Sequence, residues 1–127
     1  MPNPRALPVA ELVEAETGRV IASRMFVADS PWTRTAGLLV LPRLARGEAL
    51  WLQPCIGVHT WLLGYAIDVL FLAPDGAPVR QQSHLAPWRF CGPVRGARAA
   101  VELPAGALHE ARIDADKHYT LRRTGGV

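Results

Sequence analysis

Residues 58–76 read VHTWLLGYAIDVLFLAPDG, and this stretch decides the fold. Its second half, residues 66–73, is apolar at every position except Asp68, which predicts a strand that is covered on both faces. Pro74-Asp75-Gly76 is a strong turn signal after that strand. A tight turn at Gly64-Tyr65 would pair residues 58–63 with residues 66–73. The stretch therefore predicts a central β-hairpin.

Apolar or alternating runs bounded by glycine and proline continue this pattern along the chain. They predict further strands at residues 10–16, 19–27, 49–53, 78–84, 99–103 and 118–122. Turns at intervals of about 8 to 12 residues favour a small barrel or sandwich of mostly antiparallel strands. Asp29 or Ser30 before Pro31 predicts one short capped helix at about residues 30–39, and residues 105–111 predict a helical turn. The predicted fold class is mainly β, a β-rich α+β domain.

Length and composition fit one domain. The chain has 127 residues, of which 50% are hydrophobic and 20% charged, a globular composition. We expect a flexible N-terminal arm at residues 1–9, a single β-rich domain at residues 10–122 and a flexible tail at residues 123–127.

The charge balance and the hydrophobic runs restrict the setting in which the protein acts. The formal net charge of +3 is too small and scattered to demand a polyanion, so nucleic acid is disfavoured. The first residues lack the apolar core of a secretory signal, and residues 60–73 are shorter than the roughly 20 that a membrane helix needs. We therefore expect a soluble, cytoplasmic protein without a membrane span.

The two cysteines, Cys55 and Cys91, lie far apart and have no paired ligand spacing. Structural zinc usually draws on closely spaced ligand pairs, so no metal is predicted, and nothing in the sequence calls for a cofactor. Reduced thiols are expected in the cytosol, and a disulfide between the two remains the alternative.

A candidate site follows from the predicted hairpin, where His59, Trp61 and Asp68 share one face. His59 and Asp68 would be diagonal neighbours, about 7–8 Å apart at the backbone. A carboxylate amid apolar residues is costly unless it is paired, so two interpretations stand. Asp68 either orients His59 at the floor of a pocket or ties a neighbouring turn or arginine and stabilises the fold.

Two function classes remain open at this site. Cys55, His59 and Asp68 together are candidate catalytic residues of a small hydrolase or thiol-dependent enzyme. However, neither a helix N-terminus nor a glycine-rich nest precedes Cys55 to activate it. We favour a non-catalytic accessory or binding protein, whose pocket or partner surface for a small molecule or protein is formed by His59, Trp61, Asp68 and also Cys55.

A second candidate region combines arginines with aromatic residues. Arg89 and Arg98 are candidate ligand-binding residues in a segment that also contains Trp88 and Phe90. Such a segment is compatible with a groove for anions or single-stranded nucleic acid. The modest net charge favours the alternative, a solvated loop whose Trp88 and Phe90 cover a core edge.

Four blocks of the sequence resemble, in order, those of the bacterial and archaeal family called domain of unknown function 192. They are Gly37-Leu38-Leu39, residues 47–52, Cys55 with residues 58–60 and 67–72, and residues 100–106. The resemblance covers about residues 10–122 and implies a compact β-rich fold with small helices and no settled activity. The chain departs from the family, which usually has methionine where Leu39 and Leu63 stand, often proline at Ala66, and Gly-Asp at Ala115-Asp116.

Overall fold

Strands dominate the computed structural model, which describes residues 7–28, 43–61 and 63–123. The strands are β1 (Val9–Glu14), β2 (Val20–Ala28), β3 (Glu48–Leu52), β4 (Val58–His59), β5 (Ile67–Leu72), β6 (Pro78–Leu85), β7 (Phe90–Cys91), β8 (Ala99–Pro104) and β9 (Tyr119–Arg123), and the helix α1 is Ala107–Ala111. The mainly β class and the helical turn at 105–111 are confirmed. The predicted helix at 30–39 and most of the predicted arm and tail lie outside the described residues. Within the described ranges, no helix is long and apolar enough to cross a membrane.

Seven strands form one sheet in the order β6-β5-β8-β3-β2-β1-β9, and β4 and β7 form a separate ribbon. Pairing is antiparallel throughout the described sheet except between β2 and β3, so the predicted mostly antiparallel arrangement is confirmed. Because β6 and β9 remain the two edges, these strands do not close into a barrel, and the packing is sandwich-like.

The predicted pairing of residues 58–63 with residues 66–73 is wrong. β5 pairs with β6 on one side and with β8 on the other, so both of its edges are already occupied. The predicted strand at 58–63 shortens to β4, which pairs with β7 instead. Thr60 is the local cause of this altered pairing. Its buried hydroxyl donates to the carbonyl of Ala86 and accepts the N–H of Arg89. These bonds hold the chain against the loop that leads into β7.

The turn between β5 and β6 draws the sheet into a curl. Asp75 accepts the N–H of Ala77 at 3.0 Å, and Gly76 adopts φ +89°. The carbonyl of Gly76 accepts the N–H of Tyr119 at 2.9 Å, which brings this turn against the edge strand β9. A Cβ at Gly76 would lie 2.6 Å from the carbonyl oxygen of Tyr119, so this close contact requires glycine.

Alternating side chains on the curled sheet form two apolar layers. We call the concave side the inner face and the other side the outer face. The inner layer includes Met25, Val27, Trp51, Leu70, Leu72, Val101, Leu108 and Tyr119. The outer layer includes Phe26, Leu50, Leu52, Val69 and Phe71, which pack with Val58, Leu63, Leu85, Cys91 and Val94 from β4, β6, β7 and the connecting segments. All six residues of β5 are buried, as the sequence predicts.

Candidate functional site

Asp68 lies on the inner face of β5 and is fully buried. Its Oδ1 accepts the N–H of His84 at 2.9 Å, and its Oδ2 accepts the N–H groups of Gly106 at 3.1 Å and Leu108 at 2.9 Å. The ring of His84 stands farther off, with Nδ1 4.0 Å from Oδ1. The carboxylate therefore has three backbone donors, and its oxygens hold α1 and β6 onto the sheet.

Local irregularities supply these donors. The register between β5 and β6 shifts between Ile67 and Val69, and His84 adopts φ +51°. This bulge turns the N–H of His84 toward Asp68, and the start of α1 supplies the other two N–H groups. Of the two interpretations of Asp68, the contacts support the one in which it ties a neighbouring turn. The N–H groups take the place of the arginine or imidazole expected from the sequence.

The structure does not bring His59 to Asp68. The exposed His59 ring stacks on Trp61 with 4.9 Å between ring centroids, and its Nδ1 accepts the N–H of Trp61 at 3.3 Å. Asp68 is on a different sheet, with its hydrogen bonds directed to residues 84, 106 and 108. The predicted neighbourhood of His59 and Asp68 is wrong, because it depended on the hairpin that does not form.

Cys55 is also placed apart from Asp68. Its thiol donates to the carbonyl of Gly57 at 3.1 Å, and its N–H donates to the carbonyl of Arg98 at 2.9 Å. Cys55 and Cys91 are not disulfide-bonded. The thiol, imidazole and carboxylate that the sequence suggests as a catalytic set are thus engaged in three separate interactions.

An exposed aromatic surface surrounds the β4–β7 ribbon. We define it by Ile56, His59, Trp61, Trp88 and Phe90. The two indole rings and the phenyl ring are 52%, 62% and 57% exposed, so Trp88 and Phe90 do not cover a core edge as the favoured interpretation expected. His59 and Phe90 are directly paired across the ribbon, and the ring of Phe90 lies over Gly57.

Thr60 fixes the backbone beneath this aromatic surface. Its N–H donates to the carbonyl of Arg89 at 2.8 Å, and its carbonyl accepts the N–H of Trp88 at 3.1 Å. Trp88 is held with φ +62°, an uncommon conformation for a large side chain. The backbone that carries the neighbouring aromatic residues is therefore fixed by hydrogen bonds. These residues are His59, Trp61, Trp88 and Phe90.

The sequence segments that form the aromatic surface are rich in arginine and free of acidic residues. Residues 49–67 and 76–101 contain no aspartate or glutamate, and four arginines lie in the second stretch: Arg80, Arg89, Arg95 and Arg98. Arg89 stands between Trp88 and Phe90 and is exposed. Within the described part of the chain, its guanidinium has no hydrogen-bond or ion-pair partner. Arg98, the other predicted arginine, lines a cavity on the inner face.

Glu102 is a buried carboxyl group that the sequence reasoning missed as a site residue. It lies on β8, is 5% exposed, and its Oε2 has no hydrogen-bond partner among the described residues. Burial raises the pKa of Glu102 to about 8. The signal in the sequence is the one that marks Asp68, a single acid in an apolar run (AAVEL, residues 99–103).

A small cavity of about 130 Å³ is lined by Arg43, Tyr65 and Pro104, among others. Pro104 follows Glu102 by two residues on β8 and so shares its face of the sheet. The guanidinium of Arg43 lies 4.7 Å from the ring centroid of Tyr65. Burial and then the negative charge of Glu102 raise the pKa of Tyr65.

Fold and surface together define a small β domain with a curled sheet and an exposed aromatic ribbon. The chain belongs to the family DUF192, described as "Uncharacterized ACR", whose model matches residues 12–121. The resemblance seen in the sequence is thereby confirmed.

One curated relative is a UPF0127 protein of the archaeon Thermococcus sibiricus. It is 28% identical over 102 residues, which cover 76% of this chain and 65% of the relative. This chain thus matches slightly less than two thirds of the archaeal protein's length.

Two solved bacterial structures share the fold. A protein of unknown function from Novosphingobium aromaticivorans superposes with a TM-score of 0.72 and 14% identity, covering 88% of this chain and 83% of its own. A putative transcription regulator from Sinorhizobium meliloti superposes with a TM-score of 0.73 and 18% identity, covering 89% and 92%. At these identities the likeness concerns the fold.

Proposed function

We propose that this protein is a non-catalytic accessory protein that binds an acidic, partly apolar segment of a partner protein on its aromatic surface. The observation that carries the proposal is the exposure of three large aromatic side chains, Trp61, Trp88 and Phe90, each by more than half. Contiguous exposed apolar area on a soluble domain commonly marks an interaction site.

The composition of the surface favours a protein partner. Tryptophan and arginine are the residue types most enriched among those that carry the binding energy of protein interfaces. Trp88 is part of this surface and Arg89 follows it in the sequence, and the frame around Thr60 limits the entropy lost on binding. Binding at such a surface requires no rearrangement of the ribbon.

The charge pattern favours an acidic partner segment. The acid-free stretches at 49–67 and 76–101 give the region a positive potential, and Arg89 offers an unused guanidinium to a carboxylate. A net charge of +3 is modest for a nucleic-acid binder. We therefore favour an acidic protein segment over single-stranded nucleic acid.

The alternative function, a hydrolase or thiol-dependent enzyme, has less support. Catalysis by Cys55, His59 and Asp68 needs mutual hydrogen-bond reach. The thiol of Cys55 donates to the carbonyl of Gly57, and the oxygens of Asp68 accept three backbone N–H groups. We place the protein in the cytoplasm, where two unbridged cysteines remain reduced.

Site-specific photocrosslinking in the native organism tests the proposal. A benzophenone amino acid replaces Phe90 in the full chain, and the adduct is mapped by mass spectrometry. We expect one protein adduct whose crosslinked segment has a net negative charge. We also expect Trp61→Ala or Arg89→Glu to weaken binding of the purified partner by about 10-fold or more, as interface anchors do.

The matched control carries the crosslinker at Val79, which is 39% exposed on β6 and is not part of the aromatic surface. Equal adducts at both positions, a nuclease-sensitive adduct, an adduct with a second copy of this chain, or no adduct would each overturn the proposal.

A further inference from the structure

A cavity of about 510 Å³ opens on the inner face of the curled sheet. Its apolar wall includes Val27, Trp51, Leu72 and Ala99, and the turn at residues 74–76 and strand β9 close its other side. The hydrogen bond from Tyr119 to the carbonyl of Gly76 holds these two sides together. This volume lies in the range of small-molecule sites.

Two arginines line this cavity, and neither has a polar partner for its side chain within the described residues. The backbone of Arg98 is fixed, since its N–H donates to the carbonyl of Leu72 at 2.7 Å and its carbonyl accepts the N–H of Cys55. Arg123 ends β9, where it pairs with Ala10 of β1. Guanidinium groups of this kind match the planar geometry of an oxyanion.

One acidic residue, Asp75, also lines the cavity, but its charge is partly satisfied. Its Oδ1 accepts the N–H of Ala77, and its Oδ2 lies 3.8 Å from Nε2 of His118. Among the lining residues, two arginines thus outnumber one engaged carboxylate. The negative charge that remains on Asp75 repels a dianion more strongly than a monoanion.

The apolar wall is fixed by a polar contact at its edge. Nε1 of Trp51 donates to the side-chain carbonyl of Gln53 at 3.0 Å, and the indole is 8% exposed. The ring can therefore meet an apolar ligand without leaving an unpaired N–H. The cavity combines fixed apolar walls with two unused cations, which is how sites for small amphipathic anions are built.

We propose that this cavity binds a small monoanionic carboxylate with an apolar body, its oxyanion on Arg98 and Arg123 and its body against Trp51 and Leu72. This site is independent of the aromatic surface. It involves binding only, without a covalent step.

Titration of the ¹⁵N-labelled full chain with benzoate, benzamide and phenyl phosphate tests the inference. We expect benzoate to shift the Nε1–H resonance of Trp51 with a saturable curve. Benzamide has the same aromatic ring as benzoate but no charge. It should bind at least about 10-fold more weakly than benzoate, since a charge-assisted hydrogen bond contributes about that factor. Phenyl phosphate should bind no more tightly than benzoate.

Variants at the two arginines sharpen the result. Arg98→Gln and Arg123→Gln should each weaken benzoate about 10-fold. Arg95→Gln is the matched control, because Arg95 is exposed in the same segment and does not line the cavity. Unchanged melting temperatures show that the variants fold.

Four outcomes would overturn the inference. They are equal binding of benzamide and benzoate, tighter binding of phenyl phosphate, an equal loss in Arg95→Gln, and no saturable shift of the Trp51 resonance.

Discussion

Two buried carboxyl groups on neighbouring strands have opposite environments. Asp68 on the inner face of β5 accepts three backbone N–H groups, whereas Oε2 of Glu102 on β8 has no donor among the described residues. In sequence the two look alike, because each is the single acid in an apolar run. The difference lies in what folds around them, namely the bulge at His84 and the start of α1 in one case only.

The comparison shows that burial alone does not decide whether a carboxyl group has hydrogen-bond donors. Burial without donors raises the pKa of Glu102 to about 8, so this group favours its neutral form at neutral pH. Backbone N–H groups, in contrast, offset the desolvation of a carboxylate such as that of Asp68. The two groups should therefore respond in opposite ways to mutation.

Replacing Asp68 should give the largest effect. In Asp68→Ala three N–H groups in a largely buried region lose their acceptor, and we expect a loss of about 3–5 kcal/mol in the free energy of unfolding. Asp68→Asn keeps the volume but turns an N–H₂ group toward N–H donors, and it should lose about 2–4 kcal/mol. Urea denaturation at pH 7 measures both.

Asp114→Asn is the control for Asp68, because Asp114 is exposed and accepts a single local N–H from Asp116. It should cost under about 1 kcal/mol. In Asp68→Asn the amides of residues 84, 106 and 108 should also exchange faster with solvent. A loss below that of the control would contradict the role assigned to Asp68.

Replacing Glu102 should stabilise the protein at high pH. A carboxyl group whose folded pKa is raised from 4.5 to about 8 contributes stability below pH 4.5 that is lost as the pH rises through 8. Glu102→Gln removes this loss, so the variant should match the parent near pH 4.5 and exceed it by about 2–4 kcal/mol at pH 8. Urea denaturation across this pH range measures the difference.

Glu110→Gln, on the exposed side of α1, is the matched control for the same chemical change. If Glu102→Gln destabilised the protein equally at pH 4.5 and pH 8, Glu102 would be ionised or hydrogen-bonded in the fold. The contrast with Asp68 would then disappear.

Most of the fold follows from periodicity and turn chemistry. The strands β1 and β2, the buried β5 and the turn at residues 74–76 were predicted because each depends on local residues. The pairing of β4 with β7 was not predicted. It depends on hydrogen bonds of Thr60 with Ala86 and Arg89, which lie 26 and 29 positions farther along the chain. No local pattern encodes such long-range bonds.

The candidate site was predictable only in its residue types. Asp68 was recognised as a buried carboxylate in need of partners, but the assumed turn at Gly64-Tyr65 placed His59 beside it. Because the pairing of residues 58–63 with residues 66–73 was wrong, the cross-strand neighbours predicted for Asp68 were wrong as well. Trp61, on the aromatic surface, and Arg89, between Trp88 and Phe90 in the sequence, remain predicted binding residues. Glu102 was missed because its environment depends on the absence of hydrogen-bond donors to its Oε2 among the described residues, which the sequence does not reveal.

The smallest effect is expected at Glu16, an exposed carboxylate that does have donors. Its Oε2 lies 2.6 Å from Nδ1 of His118, and its Oε1 accepts the N–H of the same residue. These bonds lower the pKa of Glu16 to about 2, and the hydrogen bond with Glu16 raises the pKa of His118. The stabilisation from His118 is present below pH 6.5 and is lost as the pH rises through its folded pKa. Glu16→Gln should shift the titration of the His118 ring, followed by NMR, to lower pH with little change in stability.

Asp75→Asn separates hydrogen bonding from simple proximity at the same imidazole. Among the described residues, Asp75 and Glu16 are the two carboxylates that face His118, but Oδ2 of Asp75 lies 3.8 Å from Nε2. If donors decide the behaviour of a carboxylate, Asp75→Asn should lower the pKa of His118 by less than Glu16→Gln does. An equal or larger decrease would mean that long-range charge dominates. The contrast between Asp68 and Glu102 would then need a Coulombic explanation in place of one based on hydrogen-bond supply.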